Sequence, residues 1–401
     1  MIDKFDVVVV GGGIIGQTCA LALAQSQIKV ALIDPNIDSE MTATQALRVS
    51  AINQASINAF KALDIWHQLS HSHKAAYTGM EVWDKNSAAN ISFSSQDNHA
   101  DALGYIVENS QLEQILLEAL KQQTSSHLYT DKVTQLNQDD EQTLLQLASG
   151  QLVQAKLLVV ADGAESQLRN WLDIPLSFSD YGQKAIVAKI KTQQPHEGIA
   201  RQVFTPSGPL AFLPLSEPDR VSIVWSQTSQ VADDLMNLDE ASFNKKLAAA
   251  FDCISGTVEL ESERLAFPLK MRYAQSFMAG PAVLIGDAAH TIHPLAGQGA
   301  NLGILDALAI AENVIQNLNQ TGQINLVSLK QVTRWRQAEA MQRIVAMQAF
   351  KQGFGNEFAP IKLLRGLAMN LVDNTPFIKQ QCAALAMGTT GKLPELAQAR
   401  Y

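Results

Sequence analysis

The chain has 401 residues, 47% of them hydrophobic and 17% charged, which suits a soluble globular protein large enough for two or more domains. A net charge of −9 argues against general nucleic-acid binding. Its three cysteines, Cys19, Cys253 and Cys382, lie far apart and without metal-ligand spacing, so a reducing compartment, no disulfide and no metal site are expected.

Phe5 to Val10 is an apolar run that reads as a buried parallel strand. Gly11, Gly13 and Gly16 follow it as Gly-x-Gly-x-x-Gly, and Ile14 to Ser26 has helical spacing. Val30 to Ile33 reads as the next strand and ends at Asp34, about the ~20 residues past the glycine turn at which a ribose-binding acid is expected. This is half of a Rossmann unit, in which glycines bring backbone to a pyrophosphate and Asp34 accepts from a ribose hydroxyl. The pattern alone does not separate FAD from NAD. The stretch Val7 to Ala24 is apolar enough to suggest a signal peptide or a membrane span. Asp3, Asp6 and the glycines that interrupt it exclude both, so a cytoplasmic protein is expected.

Arg48 follows a polar loop; it reads either as a nucleotide-facing cation or as a surface arginine capping the helix predicted over Asn53 to Leu63. His67, His71 and His73 fall in a polar stretch without an acid or cysteine at ligand spacing, so no metal is expected there. Met80 to Phe93 reads as strands. Asn109, after Tyr105-Ile-Val-Glu108, either caps the helix Leu112 to Leu120 or faces a nucleotide. Leu128 to Leu136 and Thr143 to Leu147 are strand candidates. In Leu157 to Arg169 a buried strand ends at Asp162-Gly163 and a helix starts at Ser166; the Asp-Gly pair is either a turn or part of a site.

Lys184–Ile190, Gly198–Phe204, Leu210–Pro214 and Arg220–Trp225 read as strands of an antiparallel sheet in a second, substrate-covering domain. Phe204, Phe212, Leu213 and Trp225 are expected to pack its core. Leu235 to Phe251 reads as one helix.

The stretch Ala282 to Asp306 is the most informative. A short strand, Ala282 to Ile285, ends in Gly286-Asp287; Pro294, Gly297 and Gly299 suggest a tight loop, and helical spacing starts at Asn301. A helix N-terminus offers free N–H groups and partial positive charge to an anionic ligand. Beyond it the chain is helical. Residues 321 to 401 carry ten Lys and Arg against four Asp and Glu, so the tail is basic on an acidic body. Ile361, Leu364, Leu367 and Leu371 share one helical face with Lys362 and Arg365 opposite. Such a helix suits an anionic membrane surface or partner, or docks on its own domain.

From His293 through Pro294, Gly297, Gln298, Gly299, Asn301 and Gly303 to Asp306 the chain resembles the signature of the flavin-dependent aromatic hydroxylases of ubiquinone biosynthesis, without a departure. The other motifs match that family along nearly the whole chain. The resemblance implies an α/β fold: a Rossmann-like FAD-binding domain (1–75, 101–175 and 270–320), a β-sheet substrate domain (76–100 and 176–269) and a helical C-terminal region (321–401). It implies that Asp287 holds the ribityl chain of FAD and that the loop Pro294 to Asn301 lies against the isoalloxazine ring, where the N–H groups of Ala300 and Asn301 stabilise negative charge. It places Arg48, Asn109, Asp162 and Gly163 near the flavin nucleotide. The implied activity is ring hydroxylation of a polyprenyl phenol with NAD(P)H and O₂. A ubiquinone-biosynthesis complex and a peripheral contact with the inner membrane are implied partners. The alternatives are hydroxylation of a small soluble aromatic compound and a non-catalytic FAD-binding subunit. No catalytic acid or base stands out.

Overall fold

The computed structural model describes residues 2–39, 47–87, 90–292, 298–355 and 373–399, without side chains for 298 and 350–355. Its central sheet runs, across the strands, in the order Met278–Ala279, Ala282–Leu284, Leu152–Val160, Ile2–Val10, Val30–Ile33 and Ser126–Tyr129. All neighbours pair in parallel except the first two, and Val133–Gln138 with Thr143–Leu147 extend Leu152–Val160 as an antiparallel flap. The strands read as continuous apolar runs because both faces are covered. Val7, Val9, Leu157 and Val159 enter one core with the helices Ile14–Gln25 and Gln298–Thr321, whereas Val8, Val10, Leu158 and Val160 enter the core on the other face.

Register decides where the site falls. Val10 lies opposite both Ile33 and Val160, and Val160 lies opposite Leu284. Four carboxyl ends therefore share one edge, and Gly11, Asp34, Asp162 and the Gly286-Asp287 turn all emerge there. In open parallel sheets that edge is where ligands bind.

The second sheet runs His290–Thr291, Leu265–Ala274, Leu176–Thr192, Arg220–Thr228, Gly208–Pro214, Ile199–Thr205, Gly79–Asp84 and Asn90–Ser94. It is antiparallel except where Ile199–Thr205 pairs with Gly79–Asp84. Leu176–Thr192 is much longer than the seven-residue strand its apolar part predicts, because its first half is a polar ribbon beside Leu265–Ala274. His290 and Thr291, just past the Asp287 turn, pair with Tyr273 and Arg272, so the second sheet is stitched to the edge that carries the site.

Phe204, Phe212 and Trp225 are buried, and Phe212 stacks on Phe251 with ring centroids 3.6 Å apart, as packing predicts. The single helix expected from Leu235 to Phe251 is instead two, Ser229–Met236 and Glu240–Ala250. Asp239 restarts the second by accepting from Ser242 N at 2.8 Å, and one apolar face spans the break, which hid it from spacing. Val258–Leu260 pairs antiparallel with Leu176–Thr192 as a further strand of the second sheet, and a three-stranded sheet of Val49–Asn53, Gly104–Glu108 and Lys74–Tyr77 completes the described strands. The tail contributes the helices Leu326–Gly355 and Pro376–Ala386. Among the described residues no helix is long and apolar enough to cross a membrane.

Candidate functional site

The glycine turn is built tightly into the sheet edge. Gly11 has φ +120°, and a Cβ there would run into the Ala161 backbone; a Cβ on Gly16 would strike the Gly11 carbonyl. Gly12 N donates to Asp34 Oδ2 at 2.7 Å, and Asp34 Oδ1 accepts from Asn36 N at 2.7 Å, so the acid expected to meet a ribose also fastens the turn. Gly13 differs from its neighbours. Its backbone is ordinary, it is the N-cap of the first helix, and a Cβ there would find only Glu113 Oε1, at 3.9 Å. The space beside Gly13 belongs to an open cleft of about 400 Å³, lined by Gly11, Gly12, Asp34, Lys132, Asp162 and Gly163 among others. That volume is within the range of cofactor sites.

Arg48 is exposed and its charge acts on both Glu113 and Asp287. It therefore lies within electrostatic reach of both the glycine turn and the Asp287 turn. The expected alternative, a cap on the next helix, is taken by Asn53, whose side chain accepts from Ser56 N at 3.1 Å. Asn109 N donates to the Arg48 carbonyl at 3.0 Å. Asn109 is the first residue of the helix Asn109–Lys121, not its cap, and its buried Oδ1 has no hydrogen-bond partner among the described residues.

Asp162 does the work of a turn and leaves something over. Its Oδ2 accepts from Gln167 N at 3.1 Å and Leu168 N at 3.4 Å, while its buried Oδ1 meets no partner among the described residues. Burial raises the Asp162 carboxyl above its usual range, against the hydrogen bonds from Ser166, Leu168 and Gln167. Gly163 has φ +87° with open space where a Cβ would stand.

Asp287 sits in the single turn Gly286–Ala288. The residue is exposed to solvent, yet protein crowds its carboxyl on the other sides. That desolvation raises its carboxyl, with His290, Arg48 and Arg272 pulling the other way. Gly299 and Ala300 lie in the first turn of the helix Gln298–Thr321, not in a loop ahead of it; their N–H groups are still among those a helix start leaves free. Asn301 spends its side chain on the chain itself: Oδ1 accepts from Asn53 N at 2.9 Å and Nδ2 donates to Ala51 O at 2.7 Å. Pro294 and Gly297 lie outside the described residues, as do Lys362 and Arg365.

Sequence reasoning missed the groups that hold the turn. Arg169 Nη1 donates to Ala288 O at 3.0 Å, and Asp306 lies beneath Gly286 bound to His290 and Arg336. Asp306 closes the motif, but nothing in the sequence pairs it with an arginine on another helix. His73 bonds to Glu108 at 2.8 Å, and no metal-ligand group occurs among the described residues.

The orphaned Asn109 and Asp162 oxygens, the open flank of Gly13 and the free helix N-termini fit a long polar ligand with an anionic middle, as FAD is. A family model described as FAD binding domain matches residues 4–344. The 3-demethoxyubiquinol 3-hydroxylase of Escherichia coli is 32% identical over 388 residues, covering 96% of this chain and 98% of that protein. The ubiquinone hydroxylase UbiL of Rhodospirillum rubrum is 31% identical over 394 residues, covering 97% and 91%. Among solved structures, the p-nitrophenol 4-monooxygenase PnpA of Pseudomonas putida superposes with a TM-score of 0.78 at 17% identity, covering 96% of this chain and 98% of that one, which speaks to the fold. With its motifs on one sheet edge and its relatives matched end to end, the chain belongs to the FAD-binding monooxygenase family that includes the ubiquinone hydroxylases.

Proposed function

We propose that the protein hydroxylates the aromatic ring of a polyprenyl phenol in ubiquinone biosynthesis, using FAD, NAD(P)H and O₂. The observation that carries the reading is the one sheet edge at which the glycine turn, Asp34, Asp162 and the Asp287 turn emerge together, in a chain of this family. FAD supplies the redox and oxygen chemistry when bound. The diphosphate lies against Gly11, Gly13 and the first helix, with Gly16 letting that helix approach; Asp34 takes the adenosine ribose. Arg48, Asn109, Asp162 and Gly163 line the nucleotide, and Asp287 accepts from the ribityl hydroxyls. The N–H groups of Gly299, Ala300 and Asn301 would face the flavin ring and stabilise negative charge there. The domain division follows as 1–75, 101–175 and 270–320 for FAD, 76–100 and 176–269 for substrate, and 321–401 as the helical region. Pairing of Gly79–Asp84 with Ile199–Thr205 supports it.

One observation favours a lipid-like phenol over a small aromatic acid. Arg201 pairs with Glu81, and Arg220 with Glu261 and Asp219, so neither is a spare clamp for a carboxylate. Phe377 and Leu385 are exposed on the helix Pro376–Ala386, and they support a peripheral contact of the tail with a membrane or a biosynthetic complex. The test is NAD(P)H oxidation with product analysis for each prenylated phenol and for a soluble aromatic acid. Coupled hydroxylation of the acid alone would overturn the reading.

A further inference from the structure

Three ionisable side chains meet in the core beneath Asp287. Asp306 Oδ2 lies 2.6 Å from His290 Nε2, and Asp306 Oδ1 accepts from Arg336 Nε at 2.7 Å; all three side chains are 1–2% exposed. Gly286 N points at the same Oδ2 at 3.4 Å, and Arg336 Nη2 reaches Leu302 O at 3.4 Å. The second ring nitrogen, His290 Nδ1, is buried without a partner among the described residues. Facing a carboxylate oxygen, Nε2 is the donor of that pair. Burial pushes the Asp306 carboxyl up, but His290 and Arg336 outweigh it and hold the group below the usual range.

A buried ion pair of this kind is poor evidence of stability, since well-packed apolar side chains often do as well. What it does supply is fixed geometry. Asp306 reaches the turn before Asp287 through Gly286 and after it through His290, and Arg169 grips the same turn at Ala288 O. Gly303 is packed so close that a Cβ there would meet Gly286 Cα at 3.1 Å, so the turn has little room to shift. We infer that Asp306, His290 and Arg336 are positioning residues that aim Asp287 into the cleft and make FAD retention depend on docking of the helix Leu326–Gly355. The inference rests on Asp287 contacting FAD.

The decisive variant replaces the set with apolar side chains together: His290→Phe, Asp306→Leu and Arg336→Met. Arg336→Lys is the milder companion, which keeps the charge and loses the Nε geometry. Full-length protein is stripped of FAD, its thermal midpoint is measured, and FAD is titrated back by flavin fluorescence. The expected result is roughly tenfold weaker FAD binding in each variant that folds, as for removal of partners behind a ligand-holding group. The shift of the midpoint on adding FAD should shrink with it. Unchanged FAD affinity in Arg336→Lys or in the folded triple variant, whatever the midpoint does, overturns the inference. Asp287→Asn run alongside separates the two claims: if it too keeps full FAD affinity, the failure lies in the reading of Asp287.

Discussion

The two large sheets treat their charged groups in opposite ways. On the parallel sheet's edge, Asp162 Oδ1 is buried without a partner among the described residues, and Asp287 is left exposed. On the antiparallel sheet the charges close on one another, Arg201 on Glu81, Arg220 on Glu261, Lys184 on Asp233 and Lys189 on Glu108. Its core is held by aromatic packing instead. A buried unsatisfied polar group costs about 1–3 kcal/mol, so Asp162 Oδ1, a carboxylate oxygen at the cleft, marks a place where a ligand completes the structure. The buried atoms that lack a partner in the strands of the second sheet, Ser222 Oγ, Trp225 Nε1 and Gln183 Oε1, belong to neutral groups. It follows that damage to the first region should show in FAD content, and damage to the second in stability.

The largest effect should come where the first region has no slack at all. Gly16→Val drives a side chain into the Gly11 carbonyl, and Gly11→Val meets the Ala161 backbone with φ at +120°. Neither clash can be relieved by a side-chain rotation, so both variants should fail to fold, seen as lost helical circular dichroism. Gly13→Val breaks the comparison at its sharpest point, because among the described residues nothing beyond its own chain neighbours stands closer to the added Cβ than Glu113 Oε1 at 3.9 Å. It should fold with nearly normal stability and purify without flavin. If folded Gly13→Val holds a full complement of FAD, the cleft does not seat the diphosphate. In the covering sheet, Phe212→Ala removes the ring stacked on Phe251 and should cost about 3–5 kcal/mol in chemical denaturation. FAD affinity of the folded fraction should stay as it was.

The same contrast explains what could be read from the sequence. Strand, glycine turn, helix and acid are local patterns, so Gly11, Asp34, Asp162 and Asp287 could be picked out, and parallel register then brings them to one edge. Side-chain partnerships across the fold leave no such trace. Arg336 lies 30 residues past Asp306, and Asn301 reaches Ala51 and Asn53 across some 250 residues. The ambiguity over Arg48 and Asn109 was also not resolvable locally, since it turned on Asn53 and Glu108 holding the cap positions. The break at Asp239 was hidden because apolar spacing continues across it.

Asp287→Ala sharpens the comparison within the cleft. Hydrogen bonds to a charged acceptor contribute about 1.5–3 kcal/mol, so FAD should bind roughly 10- to 100-fold more weakly, measured by flavin fluorescence on titration. The stripped protein should lose little, because among the described residues Asp287 makes no side-chain hydrogen bond that supports the turn, which Asp306 and Arg169 hold. A large drop in the stripped protein's thermal midpoint would make Asp287 a structural residue instead.

The smallest effect concerns Glu113, which stands beside Gly13 in the same cleft. Burial raises its carboxyl above the usual range; Arg48 and the Ile14 N–H pull it down, and Asp34 pushes it up. A carboxyl with a folded pKa above its unfolded value, about 4.3, binds its proton more readily in the folded state. Stability of the FAD-free protein should therefore fall as pH rises through the window between those two values and stay reduced above it. Glu113→Gln removes the charged form, so at neutral pH the variant should be modestly more stable than the parent. The gap should close as pH drops below about 4.3, where both proteins carry a neutral side chain. Thermal midpoints of the two stripped proteins across that range measure it, and most other titrating groups cancel in the difference. A gap that does not narrow on acidification, or a Gln variant less stable at neutral pH, would show that the cleft holds the Glu113 charge comfortably without a ligand.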